Sequence, residues 1–346
     1  MRLTAAPPEL DALRRALACL PERESASLAL GRLVHAGLDQ LPLPGSGRTL
    51  LRWQALAAVA SHDLSLAKLY EGHTDALAIL HELGVPEAAA AGSLWGVWAA
   101  ESPGGRAIVQ ARTNGEEHIN GGKCWCSGAA SASHALLTAW RPDGTGPQLV
   151  RLALSQPGVE VSGQAWRAIG MASSASFDVK FEGARGHAVG GTGDYLARPG
   201  FWHGGAGIAA CWYGGAVALA GALRQSLEHA SDGRARDHRR VALGRVDEAL
   251  GSAAALLREA ARWIDDHPLK DSRELALRAR LAAEHSAKRV LDEAGSALGA
   301  AAFCRDARFA RAAADLPVFL AQSHADRDFE ALAEQVLVCG EDSWAL

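Results

Sequence analysis

Residues 119–128 read Ile-Asn-Gly-Gly-Lys-Cys-Trp-Cys-Ser-Gly. Cys124 and Cys126 bracket Trp125, and that spacing is open to three readings. It is a metal clip, a redox pair, or a strand whose tryptophan faces something flat. Strand alternation predicts Trp125 and Ser127 on one face and the two thiols side by side on the other. A metal clip needs further ligands, and none follow at metal spacing, so no metal site is predicted. Near the C-terminus, Ser-His-Ala-Asp-Arg-Asp (323–328) puts His324 and Asp328 at i, i+4 on one helix face. That is either a histidine oriented by a carboxylate or a solvated, salt-bridged surface. His203 follows Trp202 at a glycine-rich helix entry, as a packing residue or a base.

The elements that must position these groups fall into three stretches. Pro7 and Pro8 open a helix with Leu10, Leu13, Leu17 and Leu20 at helical spacing, ended by Pro21. A second helix is predicted over 22–35. A long one follows over 50–83, stopped by Gly84 with Pro86 behind it. From about 92 to 190 the pattern becomes short apolar runs broken by turn residues, which predicts a β-sandwich or barrel. Asn114-Gly115 and Asn120-Gly121 are the strongest turn dipeptides, because both can hold φ > 0. Helical spacing then returns over 205–231, 236–266, 271–299 and 307–337, enough for a four-helix bundle. The predicted class is α+β: an N-terminal helical domain (1–91), a β-domain (92–190) and a C-terminal bundle (191–346).

Composition limits what this scaffold does. The chain of 346 residues is 49% hydrophobic and 21% charged, as in ordinary globular proteins. Its net charge of −4 leaves no basic excess to neutralise phosphates, which argues against general nucleic-acid binding. The charged N-terminus lacks the apolar core of a secretory signal. The most apolar stretch, Ala206 to Ala222, falls short of the roughly 20 residues a membrane span needs. A cytoplasmic protein with six reduced cysteines is the resulting expectation.

Four strings, in order and at matching spacing, make the chain resemble the acyl-CoA dehydrogenase family. They are WAAESPGG (98–105), INGGKCWCSGA (119–129), AIGMASSASFDVKFEGAR (168–185) and GIAACWYGGA (207–216). The resemblance implies an N-terminal helical domain, a middle β-domain and a C-terminal bundle, with FAD between the domains. It implies that Trp125 packs on the flavin ring and that Ser127 lies near flavin N5, with Cys126 between them. Trp98, Ala100, Glu101 and Ser102 fall in the segment that meets the pyrimidine end, where Glu101 replaces the family's threonine. Gly299 is the remnant of a glycine-rich FAD motif. The resemblance also implies an acyl-CoA or related thioester substrate, an electron-transfer flavoprotein as acceptor, and a homodimer or homotetramer.

The family's reaction needs a carboxylate to remove a proton α to the thioester. Members carry that glutamate at one of two places. Here one aligns with about Gly204 and the other falls near Leu320 or Ala321, so neither is a carboxylate. The loop and glycine motif that reach FAD's pyrophosphate are also missing or reduced. His324, Asp328 and His203 are the remaining base candidates. Three functions are compatible with this pattern: α,β-oxidation of an acyl thioester, a flavin-dependent monooxygenase on the same fold, or a scaffold that has lost its cofactor.

Overall fold

The computed structural model describes residues 7–21, 24–101, 105–111, 116–228, 233–339 and 344. In chain order the elements begin with helices α1 (Pro8–Ala18), α2 (Ala26–His35), α3 (Thr49–His62) and α4 (Leu64–Glu82). Strands follow: β1 (Trp95–Trp98), β2 (Ala107–Ala111), β3 (Glu117–Cys126), β4 (His134–Trp140), β5 (Pro147–Ala153), β6 (Val159–Ser162) and β7 (Phe177–Ala188). The rest is helical: α5 (Asp194–Ala197), α6 (Gly200–Glu228), α7 (Arg234–Asp266), α8 (Arg273–Leu298), α9 (Ala300–Arg305), α10 (Ala307–Leu320) and α11 (Ala325–Cys339).

These elements group into two compact units, Met1–Leu43 with Ser65–Phe201, and Pro44–Leu64 with Trp202–Leu346. Helix α3, expected among the N-terminal helices, therefore belongs with the C-terminal ones. Asp265 near the end of α7 explains this. Its carboxylate accepts from the Gly47 and Thr49 backbone amides at 3.0 Å each and from the Thr49 hydroxyl at 2.6 Å. It thereby satisfies donors at the start of α3 that no intrahelical carbonyl can reach. The expected helix over 50–83 is broken at Asp63, whose extended backbone (φ −158°, ψ 126°) separates α3 from α4.

In the first unit the strand pairing closes on itself. Strand β4 pairs β2, β2 pairs β3, β3 pairs β7, β7 pairs β5, and β5 returns to β4. Strand β1 adds to β4 in parallel and β6 adds to β7. Of the two expected forms, sandwich or barrel, the pairing gives a barrel, filled by Ile119, Leu137, Val150, Val179 and Phe181 among others. Each such buried side chain contributes roughly 1.5–3 kcal/mol of transfer free energy. Helix α4 covers the sheet through Ile79, Leu80, Trp95, Leu136 and Leu149. A buried histidine fastens it there. His73 Nε2 meets Asp39 Oδ2 at 3.1 Å while its Nδ1 accepts the Trp95 amide at 3.2 Å.

Asn120-Gly121 is not a turn. It lies inside β3, where Gly121 takes φ +99° and a Cβ would sit 2.3 Å from the Arg106 carbonyl oxygen. The φ > 0 that suggested a reversal serves an irregular strand instead. Asn114-Gly115 lies outside the described residues.

In the second unit, α7 presents Val246, Ala249, Ala253, Leu257, Ala260 and Ile264 as a stripe at three- and four-residue spacing. Small residues let the backbones approach. At Gly214 of α6 an added Cβ would lie 2.3 Å from the Ala57 carbonyl oxygen of α3. Helix α6 runs 29 residues, longer than its apolar stretch suggested. It is long and apolar enough to cross a membrane, and 67% of its most apolar window is buried inside the protein. The helix expected over 307–337 is two helices, α10 and α11, separated at 321–324.

Candidate functional site

After a register shift between Ile119 and Asn120, strand β3 pairs β7 as far as Lys123 opposite Val179, and pairing resumes at Cys126 opposite Phe177. Between these pairs Cys124 and Trp125 face the single residue Asp178, which makes a β-bulge. Trp125 adopts the left-handed conformation, φ +58°, costly for a bulky side chain by about 1–2 kcal/mol. Its amide is fastened to Asp178 Oδ1 at 3.3 Å, and the residue is 55% exposed. The extra residue changes the parity of the strand. Lys123 and Cys126 are both buried and Trp125 points outward. This corrects the expectation from strict alternation: Cys126 lies in the barrel core, while Cys124 is only half-buried. Burial pushes the Cys126 thiol well above its ordinary range, so it stays protonated.

Ser127 is held from both ends. Its carbonyl accepts the Trp98 indole N–H at 3.1 Å, and its hydroxyl meets the Ser176 hydroxyl at 2.9 Å. Ser176 meets the Ser174 hydroxyl at 2.9 Å, and Ser174 donates to the Met171 carbonyl at 2.8 Å. Ser174 and Ser176 are 0% and 3% exposed. Met171 and Ala175, which bracket the turn Ala172–Ser174, both have positive φ. With Trp125 they are the non-glycine positive-φ residues among the described residues. Strained backbone of this kind persists where the surroundings over-determine it, and it clusters at functional sites. Trp98, a sequence candidate for cofactor contact, is 3% exposed in the barrel core and supports Ser127.

Glu101 is paired rather than isolated. Its Oε1 accepts from the Lys123 ammonium at 2.9 Å and the Thr138 hydroxyl at 3.0 Å, and its Oε2 from the Trp140 indole at 3.1 Å. Partial burial pushes the Glu101 carboxyl up. The Lys123 hydrogen bond and charge, then Trp140 and Thr138, outweigh it and hold the carboxyl below its usual range. Lys123 itself is 1% exposed, an ammonium taken out of water and dependent on these partners. Ala100 is exposed, and Ser102 lies outside the described residues.

The second unit holds the other candidates. His203 is buried in α6. Asp328 does not orient His324. Its carboxylate takes the Arg280 Nε at 2.9 Å, and Arg280 Nη1 donates to the Gly205 carbonyl at 3.2 Å. The same guanidinium lies 5.2 Å from the centroid of the Trp212 ring. An arginine thus ties α6, α8 and α11 together one residue from Gly204. His324 is exposed, at the rim of a cleft of about 600 Å³ that Leu320 and Ala321 also line. Glu284 of α8 lines the same cleft. Its side chain is 7% exposed and its Oε1 accepts from Lys288 at 2.6 Å. Its Oε2 has no hydrogen-bond partner among the described residues. Gly299 is the break between α8 and α9, at φ +65° with open space around it.

Sequence reasoning missed Ser174, Ser176, Lys123, Arg280 and Glu284. The hydroxyl run in MASSASF was the only local signal. The other three are ordinary helix or strand residues whose partners lie far away in sequence.

No protein-family model matches the chain, and no curated protein matches its sequence. Solved structures do match. TdsC, the dibenzothiophene monooxygenase of Paenibacillus sp. A11-2 solved with FMN and indole, is 20% identical at TM-score 0.82, covering 96% of this chain and 98% of its own. KijD3, solved with FMN and a dTDP-linked amino-keto sugar, is 18% identical at TM-score 0.82, covering 99% and 97%. Butyryl-CoA dehydrogenase of Megasphaera elsdenii is 15% identical at TM-score 0.80, covering 97% and 100%. The chain has the acyl-CoA dehydrogenase fold.

Proposed function

We propose that this protein is a flavin-dependent monooxygenase that works with a reduced flavin of FMN size. The observation that carries the reading is the Arg280 tie. Where the family's base would stand beside the first bundle helix there is a glycine, and a guanidinium bonds the neighbouring Gly205 carbonyl. A dehydrogenation that begins with proton removal has no carboxylate there. When bound and reduced, a flavin supplies two electrons to O₂ and delivers one oxygen atom to a substrate. No α-proton base is needed for that.

The residues present fit the ring of such a group. Trp125 offers an exposed flat face, and Ser127 offers a hydroxyl fixed by buried partners. Glu101 brings no uncompensated charge to the reduced ring, because Lys123 neutralises it and Arg106 Nε lies 3.9 Å away. The reduced pyrophosphate motifs favour FMN over FAD, and two of the similar structures were solved with FMN. Fold alone does not fix chemistry, so this rests on the residues named.

Glu284 favours a second reading, acyl-thioester oxidation with a relocated base. It is a buried carboxylate with one free oxygen in the cleft that Leu320 and Ala321 line. Anaerobic addition of butyryl-CoA to the flavin-loaded protein separates the two. The monooxygenase reading predicts no bleaching, and oxygen-18 from O₂ in the product once a reductase supplies reduced flavin. Bleaching that Glu284→Gln abolishes would replace it with the second reading. A protein that retains neither FMN nor FAD, oxidised or reduced, would sink both and leave a scaffold.

A further inference from the structure

A serine hydroxyl has one hydrogen to give and two lone pairs to offer. Ser174, Ser176 and Ser127 make three contacts in line, ending on the Met171 carbonyl, which only accepts. The direction of every bond is therefore forced. Ser174 spends its hydrogen on Met171, so Ser176 must donate to Ser174, and Ser127 must donate to Ser176. Ser127 is left with lone pairs and no hydrogen for anything outside. The relay is rigid because both inner hydroxyls are buried, Ser174 ends a turn between two left-handed residues with Ser176 just beyond it, and the Gly128 amide bonds the Ser174 carbonyl at 2.9 Å.

The geometry points to Ser176 and Ser174 as positioning residues that make Ser127 an obligate acceptor, so that this site selects a ligand donating a hydrogen at that point. The inference rests on the flavin reading above, with flavin N5 meeting Ser127 as the family resemblance implies, and deepens it. Reduced flavin carries N5–H, a donor, whereas oxidised flavin presents the N5 lone pair, which an acceptor oxygen repels. The site therefore binds reduced FMN in preference to oxidised FMN and raises the potential of the bound couple.

The test is anaerobic titration of the full chain with oxidised and with dithionite-reduced FMN, for the wild type and for Ser176→Ala, with thermal unfolding as the fold control. The wild type is expected to bind the reduced form at least tenfold more tightly, about 30 mV for a two-electron couple. Ser176→Ala frees the Ser127 hydrogen to serve oxidised N5, and the ratio collapses towards one. Ser176→Thr, which keeps the hydroxyl, restores it. Ser174→Ala releases the relay from its inner end and shifts the ratio the same way, so the test survives if Ser176→Ala does not fold. A wild type that binds both forms equally, or a ratio unmoved in the alanine variants, overturns the relay alone. Failure to bind either form overturns the flavin reading and the relay's role with it.

Discussion

The barrel end around Trp125 and the helices around Arg280 differ in what their local structure does for stability. The first concentrates devices that cost stability: a tryptophan at φ +58°, two more left-handed residues and a buried ammonium. The second holds Arg280 on the Asp328 carboxylate and the Gly205 carbonyl, a pairing that stabilises. Among the described residues the non-glycine positive-φ positions, Trp125, Met171 and Ala175, all lie in the first region. The difference teaches that, on the proposed reading, electron supply and proton removal are assigned to different regions of the chain.

The largest effects come from breaking the charge pairs that set these regions apart. Glu101→Ala leaves the Lys123 ammonium buried, and about 3 kcal/mol of stability is expected to go, read by urea unfolding. Lys123→Met costs about 1 kcal/mol, because Glu101 can turn to water and methionine fills the space. Equal costs would mean that the ammonium is better hydrated than its burial indicates. In the bundle, Arg280→Met strands Asp328 and frees the Gly205 carbonyl, with an expected loss of about 2 kcal/mol. Flavin binding should be untouched, and a parallel fall in flavin affinity would contradict the assignment of flavin binding to the Trp125 region.

Trp125 sharpens the comparison most directly. Trp125→Ala should weaken flavin binding about tenfold, the scale of one lost aromatic contact. Trp125→Gly should do the same while raising stability by about 1 kcal/mol, since glycine adopts positive φ without penalty. A stability gain without loss of flavin would mark the bulge as mere irregularity. The smallest effect is in acid. The Glu101 carboxyl is held below its ordinary 4.5, so its contribution is whole above that pH and is lost as pH falls through the folded value. Exposure of 39% keeps it modest. The melting temperature of Glu101→Gln should therefore fall less steeply than wild type below pH 4.5.

Much of the scaffold is written locally. Apolar residues at three- and four-residue spacing mark most of the long helices. Short apolar runs mark β4 and β5, and four short strings carry the likeness to the fold family. What failed were the inferences that assumed regularity. Asn120-Gly121 bends a strand instead of reversing it, Asp63 and residues 321–324 divide helices whose periodicity runs through them, and the bulge at Cys124–Trp125 inverts the parity on which the two thiols were paired.

Those failures share a cause with the features that matter most. The sequence determined which residues can be helical, which can be apolar, and that Trp125 and Ser127 stand near one another. Tertiary structure alone decided that Lys123 answers Glu101, that Arg280 answers Gly205 and Asp328, and that Ser127 gives its hydrogen inward. Periodicity reports a residue's preference for a face, whereas a hydrogen bond's partner and direction depend on which distant group closes the last few ångströms.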